Sequence, residues 1–245
     1  MDTTTDQRRR TGIAGLDTIL NGGFLPQRSY LVSGAPGTGK TILGFHFLNA
    51  AIAEQQDALL ITFSETTQSL SRNLASMGFS LDAVTVLDLT APVELFSDAQ
   101  NHDLLSPAET EREPVLRRIV DTVRELGPDR VFVDGLTALR HYATDDEDFL
   151  RSVQAFLQFI TSQGATVLLT AEPSINDRTE DLEHLVDGTL RLALTEKTRK
   201  LSVVKFRGSG FSGGRHTLRI GNNGMAVFPT LTAKQYLPER RKEQI

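Results

Sequence analysis

Between Gly34 and Thr41 the chain reads GAPGTGKT, a glycine-rich run that closes on a lysine and a hydroxyl. Glycines let successive backbone N–H groups converge on one anion without side-chain clash. At this spacing Lys40 can reach terminal phosphates, and the Thr41 hydroxyl is placed to ligate Mg²⁺. The run lies between an apolar segment, SYLVSG (29–34), and a predicted helix from Lys40, so a helix dipole favours the same anion. Such a site needs a second acid for its metal. RVFVDG (130–135) supplies one, because its apolar residues end on Asp134 at a predicted strand terminus. A third group closes the apolar part of LLITFSETTQ (59–68). Its only carboxylate is Glu65, which could accept a proton from water or serve simply as a first-turn helix acid. In VKFRG (204–208), alternation along a strand sends Lys205 and Arg207 to one side and Phe206 to the other.

The elements that must hold these groups follow from the hydrophobic pattern. Residues 1–10 are expected as a disordered arm and 231–245 as a charged tail, with one domain over 11–230. SYLVSG, ALLITF (58–63), VTVLDL (84–89), RVFVDG and ATVLLTAE (165–172) read as buried strands separated by helices. A helix is expected to end near SMGF (76–79) and another to begin at Pro114, after a polar loop over 97–112. Thr144 and Glu147 form a T-x-x-E capping box ahead of a helix whose Leu150, Val153, Leu157 and Ile160 share a face. This alternation predicts an α/β fold with a mainly parallel sheet and helices on both faces. After residue 188, GTLRLAL, LSVVKFRG, HTLRI, GNNG and MAVF predict antiparallel hairpins.

Composition narrows the function. A net charge of -5 and a pI of about 5.6 argue against a chain-wide basic surface for nucleic acid. The absence of cysteine excludes disulfides, thiol catalysis and Cys-ligated metal, and the 5 histidines show no ligand spacing. No run approaches the ~20 apolar residues of a membrane helix, and MDTTTDQRRR lacks the apolar core of a signal peptide. A cytoplasmic protein without membrane contact is expected.

These motifs, with the stretches around them, resemble the KaiC-like branch of the RecA-type ATPases. TGIAGLDTILNGGFLPQRSYLVSGAPGTGKT, ITFSETTQSL with NLASMGF, RVFVDGLTAL, VKFRGSG and NNGMAVFP match family blocks in order. The resemblance implies a RecA-like P-loop core assembled into a ring, usually a hexamer, with ATP and Mg²⁺ between subunits. It implies nucleotide contacts from Gly37, Thr38, Gly39, Lys40, Thr41 and Ile42, and from Ser76, Ser209, Gly221 and Asn222 at matching family positions. The K-x-R pair, Lys205 and Arg207 around Phe206, is implied to reach the neighbour's γ-phosphate as arginine fingers do. Where the family carries adjacent glutamates, F-E-E-T, this chain has Phe63-Ser64-Glu65-Thr66. Glu65 then polarises the attacking water directly or supports a base that has been lost, and slow hydrolysis is expected. The family's usual histidine is replaced by Phe211, which leaves base recognition open.

The favoured reading is a ring-forming regulatory ATPase that passes its nucleotide state to a partner protein. The alternative is a RecA-type nucleic-acid motor or recombinase paralogue. Against it stand the acidic pI and the lack of a basic–aromatic stretch, with the arginines at 8–10 and 240–241 read as solubilising ends. Autophosphorylation is not expected, since Glu183 and His184 stand where the resemblance would place acceptor hydroxyls.

Overall fold

The computed structural model describes residues 8–90, 108–172, 179–195 and 198–230. Its first strands are the apolar runs: β1 (Ser29–Ser33), β2 (Ala58–Thr62), β3 (Thr85–Asp88), β4 (Arg130–Asp134) and β5 (Thr166–Ala171). β1, β2, β4 and β5 are buried along their whole length, as strands covered on both faces must be. They alternate with helices α1 (Ala14–Ile19), α2 (Lys40–Ala53), α3 (Thr67–Ala75), α4 (Ala108–Leu126), α5 (Asp146–Ser162) and α6 (Thr179–Leu185), and with a 3₁₀ helix over Leu136–Tyr142. β6 (Gly188–Leu194), β7 (Arg199–Phe206), β8 (His216–Gly221) and β9 (Gly224–Phe228) complete one sheet, ordered β3-β2-β4-β5-β1-β6-β7-β8-β9.

The sheet divides two cores. One holds residues of α1, α2 and α3 with β6 to β9, including Leu43, Phe47, Leu70 and Leu201. The other holds α4, the 3₁₀ helix, α5 and α6, including Ile119, Leu136, Phe149 and Leu182. Helices therefore cover both faces, as the alternation predicted. α2 lies very close to the sheet. A Cβ on Gly44 would sit 2.0 Å from the Phe132 ring, so glycine sets how near this helix can come to β4.

Strand register fixes which residues share an edge. β1 to β5 are mutually parallel, with Ser33 opposite Ala171 and Thr62 opposite Asp134. The carboxyl ends of β1, β2, β4 and β5 thus lie along one edge, where ligands bind in open α/β sheets. β6 continues the parallel set beside β1 and is antiparallel only to β7, so the pattern change predicted at residue 188 begins one strand later. The remaining pairs, β7–β8 and β8–β9, are antiparallel as predicted.

Other expectations are corrected by local chemistry. Asp145, not Thr144, caps α5, and its carboxylate accepts from the Asp148 N–H at 2.8 Å. Asp148 in turn accepts from the Thr144 N–H, so the reciprocal partner is Asp148 rather than Glu147. Val153, Leu157 and Ile160 are buried on the shared face, with Leu150 partly so. The polar stretch expected as a loop over 97–112 is helical from Ala108. Strong helix formers carry α4 through Pro114, and the rest of that stretch lies outside the described residues. Arg8 to Arg10 are not a loose end. Arg9 bridges Phe24, and Arg8 donates to the Leu20 and Gly23 carbonyls and to Ser209 Oγ. Residues 1–7 and the tail 231–245 lie outside the described residues.

Candidate nucleotide site

A cleft of about 1070 Å³ opens at the carboxyl edge of the sheet, lined by Gly37, Gly39, Lys40, Thr41, Ile42, Glu65 and Asp134 among others. Each group arrives from a strand end. The glycine-rich loop leaves β1 and turns into α2 through Gly39, whose φ of 104° only glycine adopts readily. No side chain caps this helix start, so its first N–H groups are left for an anion. Gly37 is likewise left-handed, φ 75°. Thr38 is buried and donates its hydroxyl hydrogen to the Ala35 carbonyl at 2.8 Å, which holds the loop's curvature.

Lys40 Nζ donates to the Gly34 and Ala35 carbonyls, 2.8 and 3.2 Å, and pairs with Glu172 Oε1 at 3.1 Å. Glu172 directly follows β5, one strand from the loop. It holds the lysine's charge where a phosphate would compete for it.

Asp134 is only 3% exposed. Thr41 donates its hydroxyl hydrogen to Asp134 Oδ2 at 3.0 Å, and Thr170 donates to Oδ1 at 2.7 Å. Burial pushes the Asp134 carboxyl above its usual range. The Thr170 and Thr41 hydrogen bonds oppose that rise, and Glu65 adds to it. A carboxylate and a hydroxyl so close together are the hard oxygen donors that Mg²⁺ selects. Among the described residues no group of three or more His, Cys, Asp or Glu is placed to hold a metal ion.

Glu65 follows β2, and its Oε2 accepts from Ser69 Oγ at 2.9 Å and Asn73 Nδ2 at 3.0 Å, both on α3. These two donors hold the carboxylate at the cleft wall. Ser64 is exposed beside it and donates to the Asp134 carbonyl.

The other predicted residues are not in this cleft. Phe206 faces the core with its ring stacked on Tyr30 at 5.5 Å, leaving only its backbone for a ligand. Lys205 and Arg207 project outward from the far end of β7. Lys205 Nζ donates to the Glu183 and Val186 carbonyls, 2.7 and 2.6 Å, at the end of α6. Its pKa is lowered, first by burial and then by Arg207, while Asp187 and Glu183 oppose the shift. Ser209 accepts from Arg8 in the same region. Ser76 ends α3 and donates to the Asn73 carbonyl. Gly221 closes β8 next to Ile220, which lines the cleft, and Asn222 is exposed in the turn to β9. The left-handed residue of that turn is Gly224, φ 80°.

Glu172, Thr170 and Arg199 also reach the cleft or its machinery without a sequence motif announcing them. The one available signal was position, since Thr170 and Glu172 lie at the end of ATVLLTAE.

The family model described as the KaiC ATPase matches residues 9–232. A UPF0273 protein of Methanocaldococcus jannaschii is 29% identical over 93% of this chain and 99% of its own length. One of Thermotoga maritima is 28% identical over 91% of this chain and 97% of its own. The circadian clock protein KaiC2 of Synechocystis is 27% identical over 89% of this chain but only 39% of its own length.

Proposed function

The chain belongs to the KaiC family of ATPases, with a RecA-like fold, and from that premise we propose that it is a ring-forming regulatory ATPase. In this reading it binds Mg²⁺·ATP at the joints of a homo-oligomer, hexameric as the resemblance implies. It hydrolyses ATP slowly and signals its nucleotide state to a partner protein. The observation that carries the reading is a division of labour across the sheet. Lys40, Thr41, Asp134 and Glu65 line one cleft, whereas Lys205 and Arg207 stand at the opposite edge. The Arg207 N–H donates to the Asp187 carbonyl, whose N–H donates to Ser29 at the start of β1. The glycine-rich loop begins after Ser33, so four residues of strand, roughly 13 Å, intervene before the loop itself. A pair so placed is better suited to a neighbour's phosphates than to its own.

Within one cleft the residues divide as follows. The loop N–H groups and Lys40 bind the phosphates, and Thr41 and Asp134 would hold Mg²⁺. The ion offsets phosphate charge when bound. Glu65, held in place by its two donors from α3, accepts the proton of the attacking water. Replacement of the family's first glutamate by Ser64 supports slow turnover. Autophosphorylation is not part of the reading, because Glu183 is ion-paired with Arg191 and neither it nor His184 offers a hydroxyl. None of the helices of the described residues is long and apolar enough to cross a membrane.

The test is phosphate release and size-exclusion chromatography with Mg²⁺·ATP, using the parent and Lys40→Ala. The parent should release phosphate and elute as a ring, and the variant should do neither. Identical elution of both would separate assembly from nucleotide and overturn the joint-site reading.

A further inference from the structure

Arg8 reads from the sequence as part of a solubilising end, but the fold seats it, half-buried, at the edge that carries Lys205 and Arg207. Backbone pairing lays the arm down first. The Arg9 N–H donates to the Phe24 carbonyl at 2.8 Å, and the Phe24 N–H donates to the Arg9 carbonyl at 2.9 Å. Gly22 and Gly23 make room for this pairing. Both have positive φ, 116° and 120°, and a Cβ on Gly23 would sit 2.4 Å from the Arg9 carbonyl. So held, the Arg8 side chain crosses the end of α1. Its Nη1 donates to the Leu20 and Gly23 carbonyls at 2.9 and 3.1 Å, and its Nη2 donates to Ser209 Oγ at 2.7 Å. A guanidinium is planar with its donors in fixed directions, so two carbonyls on one nitrogen aim the other.

Ser209 lies two residues after Arg207, just past the end of β7. On its near side Arg207 is fixed through its N–H, which donates to the Asp187 carbonyl at 2.8 Å. On its far side the chain turns at Gly208, φ 82°, a residue free enough to leave the arginine's direction unset unless the next residues are tied. Three bonds tie them. Arg8 holds Ser209, Asn21 Nδ2 donates to the Gly210 carbonyl at 2.9 Å, and the Ser212 N–H donates to the Ile19 carbonyl at 2.8 Å. The Arg8 bond is the charged one of the three and the nearest to Arg207. In the cross-joint reading proposed above, on which this rests, Lys205 and Arg207 face a neighbour's phosphates. We propose that Arg8 is a positioning residue for that reach, holding the Arg207–Gly210 turn so that Arg207 is presented across the joint in a fixed direction. A long side chain rooted in a loose turn must give up backbone and rotamer freedom each time it engages. A turn already fixed avoids that loss, which is the gain of preorganisation.

The experiment is phosphate release with Mg²⁺·ATP from full chains, alone and mixed in pairs, with subunit exchange shown by labelled protein and ATP affinity by calorimetric titration. Arg8→Ala should release phosphate about tenfold more slowly than the parent, as loss of a charge-assisted hydrogen bond does. Its ATP affinity should stay near the parent's, because its own cleft is intact. Mixed with Glu65→Gln it should exceed either protein alone, since its intact cleft then meets a neighbour's intact Arg8 and Arg207. Mixed with Arg207→Ala it should not, since both lack the same side of the joint. Arg8→Gln, a milder change that keeps an amide donor for the carbonyls around α1, should behave the same way in both mixtures, and Arg8→Lys should retain part of the parent's rate. A parent-like rate in Arg8→Ala would overturn the assignment. So would recovery of Arg207→Ala by Glu65→Gln without recovery of Arg8→Ala and Arg8→Gln, which would reduce Arg8 to a cap on α1 and leave the cross-joint reading intact. Failure of every mixture despite exchange would overturn that reading and the assignment with it.

Discussion

Replacing Thr170 by valine keeps the shape of a 1% exposed side chain and removes one hydroxyl. That hydroxyl donates to Asp134 Oδ1 at 2.7 Å and accepts from the Gly135 N–H at 2.8 Å. Thr170→Val therefore opens no cavity but takes a donor from a buried carboxylate and an acceptor from a half-buried amide. The first loss costs roughly 2 kcal/mol, as hydrogen bonds to charged groups do, and the second about 1 kcal/mol, because water reaches Gly135 in part. The total of about 3 kcal/mol lowers the melting temperature by roughly 6–12 °C for a domain of this size. Thr170→Ser is the control, since it keeps the hydroxyl and loses one methyl at about 1 kcal/mol. Thermal melts followed by circular dichroism at neutral pH decide between them. The valine variant should melt clearly below the serine variant. Equal melting temperatures would show that the hydroxyl does not support Asp134, and the electrostatics derived for the metal side of the cleft would be wrong.

Glu65→Gln should bind ATP with near-parent affinity but release almost no phosphate, since the amide oxygen can still accept from Ser69 and Asn73 but takes no proton. Ser64→Glu, restoring an acid at an exposed position beside Asp134, should raise turnover, read in the same phosphate-release assay. His46 titration should be visible in stability. Its Nε2 accepts from the Met225 N–H at 2.7 Å, and burial lowers its pKa below 6.5, against a backbone bond with Gly12 that raises it. The unfolded chain then takes up the proton first as pH falls. Stability from this residue is complete above about pH 6.5 and lost as pH drops below it. His46→Gln should flatten that part of the melting-temperature profile, and an unchanged profile would assign the loss to other groups.

Much of the fold was legible because local signals agreed with the tertiary outcome. The apolar runs became buried strands, and the GAPGTGKT run became a strand-to-helix turn whose left-handed residues are glycines. The α5 cap was misplaced by one residue because Thr144 and Asp145 can both cap, and only the backbone decides which one does. Thr170, Glu172 and Arg199 were not readable as a group. Their meeting depends on β5 lying beside β1 and on how far the β6–β7 hairpin extends past it, which is register rather than local pattern. Arg8 was misread for the same reason. A basic run beside a polar end looks solvated until its carbonyl partners 12 and 15 residues away are known.

Mixing two inactive proteins, Arg207→Ala and Glu65→Gln, tests the joint-site reading most directly. Each ring of one kind lacks either the reaching arginine or the proton acceptor at every joint. In a mixed ring, some joints pair an intact Arg207 from one subunit with an intact Glu65 from its neighbour. Phosphate release should return in the mixture, at a level set by the fraction of such joints, once labelled protein shows that subunits exchange. Exchange without any recovery of phosphate release would mean that Arg207 acts inside its own subunit or not in catalysis at all.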